Sequence, residues 1–128
     1  KQLYDVICDE TTIYDSVFVK KDAGVIFACE DGVPVGFALF FHNFSTFMGK
    51  KGLYLEDLFV IPEKRGKGYG KALFQYLGRL ANERGCKRFE WVCLNWNEPS
   101  IRFYKSFGAV PMDEWTTFRL SGKALKDI

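Results

Sequence analysis

Residues 53–84 read LYLEDLFVIPEKRGKGYGKALFQYLGRLANER, and three patterns within them decide the fold. Residues 53–61 are apolar except for two adjacent acids, a composition that predicts a strand. A turn then leads into glycines at every second position from 66 to 70. Residues 69–84 follow with apolar side chains at the spacing of a helix. The segment is therefore predicted to run from a strand through a glycine-rich loop into a helix.

The glycine-rich loop has the character of a phosphate site. Its glycines let the backbone approach a ligand closely and aim several N–H groups at one point, and the helix that follows adds its positive end. Four basic residues lie within eight positions and are opposed only by Glu63: Lys64, Arg65, Lys67 and Lys71. The sequence therefore predicts an anion site at this loop.

Two common phosphate motifs are excluded by their spacing. The dinucleotide fingerprint GxGxxG needs glycine at the position of Lys71. The P-loop GxxxxGK[ST] needs glycine at the position of Arg65 and a hydroxyl residue at the position of Ala72. The loop is therefore predicted to hold a different phosphate ligand.

The rest of the chain completes a mixed sheet. It is predicted to contribute two helices, at 11–18 and 98–107, and five strands, at 24–30, 35–44, 87–94, 109–112 and 115–121. Asp31-Gly32 signals a tight hairpin between the first two strands, and a loop is expected at 45–52. This order gives an α/β fold whose sheet has antiparallel and parallel parts. With 128 residues, the chain has room for a single domain over 1–128.

Composition excludes several classes of function. The net charge of +2 is too small to indicate nucleic acid as a partner. No apolar run approaches the roughly 20 residues that span a bilayer, so no membrane partner is expected. The four cysteines form no CxxC pair and, with His42 as the single histidine, match no zinc site. Reduced, buried thiols in a cytoplasmic protein are the expectation.

The loop and two flanking segments resemble one enzyme family. Residues 65–70, RGKGYG, match the pyrophosphate loop of the GNAT superfamily, Arg/Gln-x-x-Gly-x-Gly/Ala, between a strand and a helix. LYLEDLFV at 53–60 and WNEPSIRFYKSFGA at 96–109 resemble the diamine (spermidine/spermine) acetyltransferases at matching separations. The resemblance covers 24–121 and is dense over 53–109. It implies the GNAT acyl-CoA N-acyltransferase fold and acetyl transfer from acetyl-CoA, without a metal, to a small basic amine.

The acceptor implied by the resemblance is the primary amine of a polyamine, a diamine or a lysine-like amino acid. Two alternatives stay open at this point. A GNAT enzyme that acts on protein N-termini or lysines would have much the same core, although it would need an open groove where the Phe-rich stretch 44–48 suggests a lid. A module that binds CoA without catalysis would leave the family's catalytic residues without a purpose.

The same resemblance assigns the residues that hold acetyl-CoA. Its pantetheine arm is expected to hydrogen-bond the strand at Leu58, Phe59 and Val60. The phosphates are expected at the loop and the first turn of its helix, and the remaining contacts at the start of the next helix. These positions are Arg65, Gly66, Lys67, Gly68, Tyr69, Gly70, Lys71, Asn97, Ser100 and Tyr104.

Two residues receive catalytic roles from the resemblance. Tyr104 falls on the proton donor to the leaving sulfur, and a phenol with a reference pKa of about 10 suits a thiolate of about 8.5. By pattern alone Tyr104 would be a core tyrosine of an amphipathic helix. Glu56 falls on the residue that meets the acceptor amine, and Asp57 is expected to be structural. Adjacent strand residues face opposite sides unless a bulge re-aims them.

The remaining expectations concern the acceptor wall and the assembly. Glu90, Trp91 and Val92 match acceptor-lining positions of the family. Family members are homodimers, so a homodimer is expected. They also begin with a strand and a helix that this sequence mostly lacks. We therefore expect roughly 25–35 further N-terminal residues in the native protein, or a second chain that covers the edge of the strand at 24–30.

Overall fold

The computed structural model describes residues 21–128, and the helix predicted at 11–18 lies outside this range. The chain divides into two compact units, Lys1–Val92 and Cys93–Ile128. The described part of the first unit contains a sheet and a long helix, and the second contains two shorter helices. The single domain over 1–128 stays a prediction.

The sheet of the first unit has four strands among the described residues. They are β1 (Gly24–Glu30), β2 (Val33–Ser45), β3 (Lys50–Val60) and β4 (Phe89–Glu90), in the spatial order β1-β2-β3-β4. The first three strands are antiparallel, whereas β4 runs parallel to β3 after the helix α1 (Tyr69–Glu83). The predicted mixed α/β sheet is confirmed.

Both hairpins of the sheet are tight. Asp31 and Gly32 have φ values of 52° and 80°, as a two-residue turn that follows the twist of the strands requires. The second hairpin is shorter than the loop predicted at 45–52, because β2 and β3 stay paired as far as Ser45 and Lys50. Phe47 is 94% exposed at its tip. The stretch 44–48 is therefore the end of the β2–β3 hairpin, and its role as a lid stays a prediction.

The core lies between one face of the sheet and α1. Its buried residues are Val35, Ala38 and Phe40 of β2, Leu53, Leu55 and Val60 of β3, and Leu73, Phe74, Leu77 and Ala81 of α1. The helical residues recur at intervals of one, three and four, which places them on one stripe facing the sheet. On the opposite face of β2, Phe37, Leu39 and Phe41 are only half-buried. This face of β2 is therefore only partly covered.

Three predicted strands differ from the structure. The strand expected at 87–94 is limited to Phe89–Glu90, and residues 109–112 and 115–121 form no strand. These segments contain the apolar side chains that are typical of strands, but a strand also needs a second strand to hydrogen-bond with its backbone. No described strand pairs with these segments.

The second unit contains α2 (Glu98–Ser106) and α3 (Gly122–Lys126). Helix α2 agrees with the predicted helix at 98–107. Helix α3 has no sequence prediction because its five residues are too short for a periodic pattern. An ion pair between Lys123 and Asp127, one helical turn apart, supports it.

Candidate functional site

A β-bulge lies in the middle of β3, at Glu56. Leu55 pairs with Phe40 and Asp57 with Leu39, so Glu56 is an extra residue without a partner in the ladder. The alternation of buried positions shifts by one across this residue, from Leu53 and Leu55 before it to Val60 after it. The bulge explains how two adjacent acids fit in an apolar strand. Glu56 is exposed and Asp57 is half-buried.

The edge of β3 beyond the bulge is paired on one side only. Residues 50–60 pair with β2, whereas the pairing with β4 is limited to Leu53 and Tyr54. In the part of the chain that the structure describes, no strand lies on the other edge of residues 55–60. This open edge includes Leu58, Phe59 and Val60, where the pantetheine arm was predicted to add as a strand would.

Arg65 lies at the end of the open edge. The Ile61 N–H donates to the Val35 carbonyl at 2.9 Å, so the Val60 carbonyl of the same trans peptide points to the opposite edge. There it accepts a hydrogen bond from Arg65 Nε at 2.8 Å. The guanidinium also lies 5.4 Å from the centre of the Phe59 ring. Arg65 therefore joins the strand edge to the glycine-rich loop.

The loop at 65–70 has the backbone of a phosphate site. Gly66 and Gly68 have φ values of 79° and 91°, and a Cβ at either position would meet nothing within 4 Å. Helix α1 begins at Tyr69, and no side chain caps it. Because a helix leaves its first N–H groups without intrahelical acceptors, this terminus presents donors and a positive dipole end to an anion. The predicted pyrophosphate of acetyl-CoA fits these features.

The side chains around the loop differ in what they contact. Lys67 and Lys71 are exposed. Tyr69 instead donates its hydroxyl proton to Glu30 Oε2, and the other carboxylate oxygen of Glu30 accepts from Lys64 Nζ. Glu30 was missed at the sequence level, since an acid next to a hairpin is normally a solvated residue. Its role follows only from the fold, which brings β1 beside the loop.

The protonation states of this group follow from its hydrogen bonds. The bond from Lys64, followed by that from Tyr69, holds the pKa of Glu30 below its usual value. The bond to Glu30 raises the pKa of Tyr69 above its ordinary value of 10.0. Near neutral pH, Glu30 is therefore an anion and Tyr69 a proton donor.

Glu90, predicted to line the acceptor site, is engaged within the sheet. Its Oε1 accepts from Asn43 Nδ2 at 3.0 Å and lies 3.1 Å from Arg88 Nε. Arg88 in turn donates to the Phe44 carbonyl at 3.0 Å. A cationic acceptor at Glu90 would therefore compete with Arg88 for the carboxylate.

Trp91 and Val92, the other predicted wall residues, differ in exposure. The Trp91 ring packs edge-on against that of Phe74 of α1, with the ring centres 4.8 Å apart. It is tilted against the ring of Phe89, whose centre lies 4.9 Å away, so the three rings form an aromatic cluster of the first unit. Val92 is 73% exposed. Their contact with an acceptor stays a prediction.

Tyr104 and the cap of its helix belong to the second unit. Asn97 Oδ1 accepts from the Ser100 N–H at 3.3 Å and so caps α2. Tyr104 is half-buried, and its ring lies 5.5 Å from that of Phe103. Burial, with a smaller contribution from Cys93, raises the pKa of the Tyr104 phenol above 10.0. The phenol is therefore protonated near neutral pH, as a proton donor requires.

His42 is an exposed residue of β2 whose Nε2 lies 3.3 Å from Arg84 Nη1. Partial burial, followed by the charges of Arg84 and Lys51, lowers its pKa.

Within residues 21–128, no group of three His, Cys, Asp or Glu side chains could hold a metal ion. No helix in that range is both long and apolar enough to cross a membrane.

Several known acetyltransferases are similar to this chain in sequence. An L-ornithine N5-acetyltransferase of Arabidopsis thaliana is 42% identical over 98 residues, which are 77% of this chain and 43% of that protein. A thialysine N-epsilon-acetyltransferase of Sus scrofa is 35% identical over 97 residues, 73% of this chain and 56% of that protein. The chain thus spans about half the length of the curated relatives it matches.

A solved structure and a family profile extend the comparison. An integron cassette protein from the mobile metagenome of V. cholerae superposes with a TM-score of 0.81 at 30% identity, covering 98% of this chain and 80% of that one. The profile of the acetyltransferase (GNAT) family matches residues 3–109. Its match includes the bulged strand, the glycine-rich loop and the helix of Tyr104. The chain therefore belongs to the acetyltransferase (GNAT) family.

Proposed function

We propose that this chain is the catalytic part of an acetyl-CoA-dependent N-acetyltransferase whose acceptor is a small molecule with two amino groups. Family membership supports the reaction class. The two curated relatives described above are named for ornithine and thialysine, which both carry two amines. Polyamines, diamines and lysine-like amino acids form the substrate class that we infer for this chain.

One continuous segment carries the proposal. Residues 53–70 combine a bulged carboxylate at Glu56, a strand edge open beyond it and a glycine-rich loop at an uncapped helix N-terminus. A CoA thioester needs such a combination, because it has a diphosphate, an extended amide-containing arm and a reactive end that must meet an amine. A nucleotide site without catalysis would use the loop but not the bulge.

The residues proposed to bind acetyl-CoA divide by the part they hold. The loop glycines and the first turn of α1 supply backbone N–H groups for the diphosphate, with Lys67 and Lys71 as nearby cations. Leu58 and Val60 offer backbone groups of the open edge to the pantetheine amides. Asn97 and Ser100 are proposed to add contacts from α2, alongside the cap that joins them.

Acetyl-CoA supplies the acetyl group as a thioester, and the protein supplies the protons and charges. Glu56 is proposed to attract the ammonium form of the acceptor and to help remove its proton, directly or through water. Tyr104 is proposed to hold a proton on its phenolic oxygen for the leaving sulfur, which its raised pKa favours. An N–H of the open edge is proposed to stabilise the developing negative oxygen.

The second charge of the acceptor is proposed to interact with the acidic side of β3 and β4. Glu56 is exposed, whereas Glu90 is already paired with Arg88 and Asn43. Replacement of Glu56 should therefore lower kcat/KM for the acceptor more than replacement of Glu90. Glu90 contributes mainly by adding negative charge beside the acceptor.

A homodimer and a cytoplasmic location complete the proposal. The homodimer rests on the resemblance to the diamine acetyltransferases, and the location rests on the four cysteines, which form no CxxC pair. Light scattering on the purified protein measures its mass in solution, and a monomer at assay concentrations would remove the dimer from the account.

The reaction is tested by mass spectrometry of the products. The protein is incubated with acetyl-CoA and, separately, with diamines, with peptides that carry free N-termini and with peptides that carry lysine. We expect acetylated diamine as the main product. Acetylated peptide in place of acetylated diamine would favour a protein acetyltransferase, and binding of acetyl-CoA with no product would favour a non-catalytic module.

A further inference from the structure

Glu30 is the last residue of β1. It pairs with Val33 across the tight turn at Asp31 and Gly32, both of which have positive φ. The backbone that bears its carboxylate is therefore held in a short hairpin. Each carboxylate oxygen receives one donor: Oε1 accepts from Lys64 Nζ and Oε2 from the Tyr69 hydroxyl. These three residues are called the Glu30 bridge below.

The Glu30 bridge connects the two ends of the glycine-rich loop. Lys64 is the last residue of the 3-10 turn before the loop, and Tyr69 is the first residue of α1 after it. The four residues between them include Gly66 and Gly68, where an added Cβ would meet nothing within 4 Å. Arg65 anchors the start of this stretch by donating to the Val60 carbonyl, whereas Gly66 and Gly68 have no side chain to pack and α1 lacks a side-chain cap.

We propose that Glu30 is a positioning residue of the phosphate site: by binding Lys64 and Tyr69 together, it fixes the loop in the conformation that receives the diphosphate. The inference rests on the proposed function for the identity of the ligand. A loop that is ordered in advance loses less conformational entropy on binding, so the bridge raises affinity without touching the ligand.

The bridge also changes the roles of its two partners. Lys64 is paired with an anion, so the positive charge available to the diphosphate comes chiefly from other cations such as Lys67. The hydroxyl of Tyr69 is directed to Glu30, whereas its backbone N–H belongs to the first turn of α1. The sequence assigns Tyr69 to cofactor binding. Its backbone N–H is thus available for that role, while its side chain anchors the loop to Glu30.

The test compares Glu30→Gln with Asp31→Asn, which removes the same charge one residue away. Asparagine tolerates the positive φ of Asp31, which has no part in the bridge. Backbone hydrogen exchange of residues 65–70 is measured without ligand. We expect exchange to rise on the order of fivefold or more in Glu30→Gln and to stay at the wild-type rate in Asp31→Asn.

Two further readouts separate positioning from a general loss of structure. In Glu30→Gln, the Kd for acetyl-CoA should rise about 3–10-fold while kcat at saturation changes less than about twofold. Tyr69→Phe, which removes one of the two bonds, should have a smaller effect on both exchange and Kd. The exchanged pair Glu30→Lys with Lys64→Glu should recover part of the protection, because it restores the ion pair.

A folded Glu30→Gln variant with wild-type exchange at 65–70 would overturn the inference. So would faster exchange throughout the sheet, because the effect would then be one of stability. The exchange measurement needs no ligand. If the wild-type protein failed to bind acetyl-CoA, the proposed function would be lost, while the exchange result would still decide whether Glu30 orders the loop.

Discussion

Tyr104 is the residue whose chemistry can be tested most simply. Its half-buried phenol has a pKa raised first by burial and then by Cys93. A raised pKa keeps the proton in place as pH rises through the neutral range. Loss of that proton would therefore limit the reaction only above pH 10.0, the ordinary value for the phenol.

Tyr104→Phe removes the proton and keeps the ring. We expect kcat to fall on the order of 10²-fold, with the fold and most of the acetyl-CoA affinity retained. The ratio of the wild-type kcat to that of Tyr104→Phe should be constant between about pH 7 and 9, because the wild-type phenol stays protonated there. Tyr76→Phe, on the exposed side of α1, is the matched control. Equal turnover in the two variants would rule out the donor role.

Glu56→Gln tests the bulged carboxylate. We expect kcat/KM for the amine to fall about tenfold or more, because the ammonium loses its counter-charge and its proton acceptor. The Kd for acetyl-CoA should not change. Glu63→Gln, at an exposed acid on the turn before the loop, controls for the lost charge. A normal kcat/KM in Glu56→Gln would transfer the acceptor role to another residue.

The sequence allowed some of these residues to be predicted and not others. The adjacent acids Glu56 and Asp57, between Leu55 and Leu58, break the alternation of apolar and polar residues in the strand. A bulge was the one arrangement that could change the direction of their side chains. The contact of Glu90 with Asn43 was not predictable, because Asn43 lies 47 positions away along the chain. Glu30 gave no signal at all, since only the fold brings it to the loop.

At the scale of elements, the loop depends on glycines for a conformational reason. Gly68 precedes α1 with a φ of 91°, and space for a side chain exists there. The difficulty of a replacement lies in the left-handed backbone, which costs an L-residue roughly 1–2 kcal/mol and a β-branched residue more.

Gly68→Val should therefore shift the loop and abolish measurable binding of acetyl-CoA in titration calorimetry. Gly78→Ala is the control, because Gly78 lies in mid-helix with ordinary φ, and a Cβ added there would meet nothing within 4 Å. That variant should bind acetyl-CoA normally and gain about 0.5–1 kcal/mol of stability. Normal binding in Gly68→Val would show that the loop is not the phosphate site.

The approach of β2 to β3 requires a second glycine for a different reason. A Cβ on Gly36 would lie 2.7 Å from the Phe59 carbonyl oxygen and 3.2 Å from Val60 Cγ2. Gly36→Ala should lower the free energy of unfolding by about 1–3 kcal/mol, because a backbone atom must move. Urea denaturation measures the change, again with Gly78→Ala beside it. An unchanged midpoint would mean that the two strands separate easily here.

The elements were predicted well where local patterns and pairing agree. Strand β1 and helices α1 and α2 were found within one residue, because hairpin, periodicity and capping signals coincide there. The strand expected at 87–94 was too long, and those expected at 109–112 and 115–121 were wrong, for a non-local reason. Apolar side chains give the pattern of a strand, but the hydrogen-bonding partner of a strand cannot be read from the same residues.

At the scale of the whole molecule, the sequence predicted the family and the type of sheet. It could do so because the deciding features, from the bulged strand to the helix of Tyr104, are short and lie in order along the chain. The acceptor is proposed to be specified differently, by side chains from separate strands. Its identity is therefore argued from charge and from the relatives rather than from a motif.

The number of charges on the acceptor tests the central claim most directly. Release of free CoA thiol is measured as an initial rate with acetyl-CoA and a panel of amines. The panel pairs each dibasic compound, such as ornithine, thialysine, putrescine and spermidine, with a monoamine of similar length. We expect kcat/KM to be on the order of tenfold or more higher for the dibasic member of each pair, since a carboxylate holds the second ammonium. Equal or faster transfer to the monoamines throughout the panel would contradict the account.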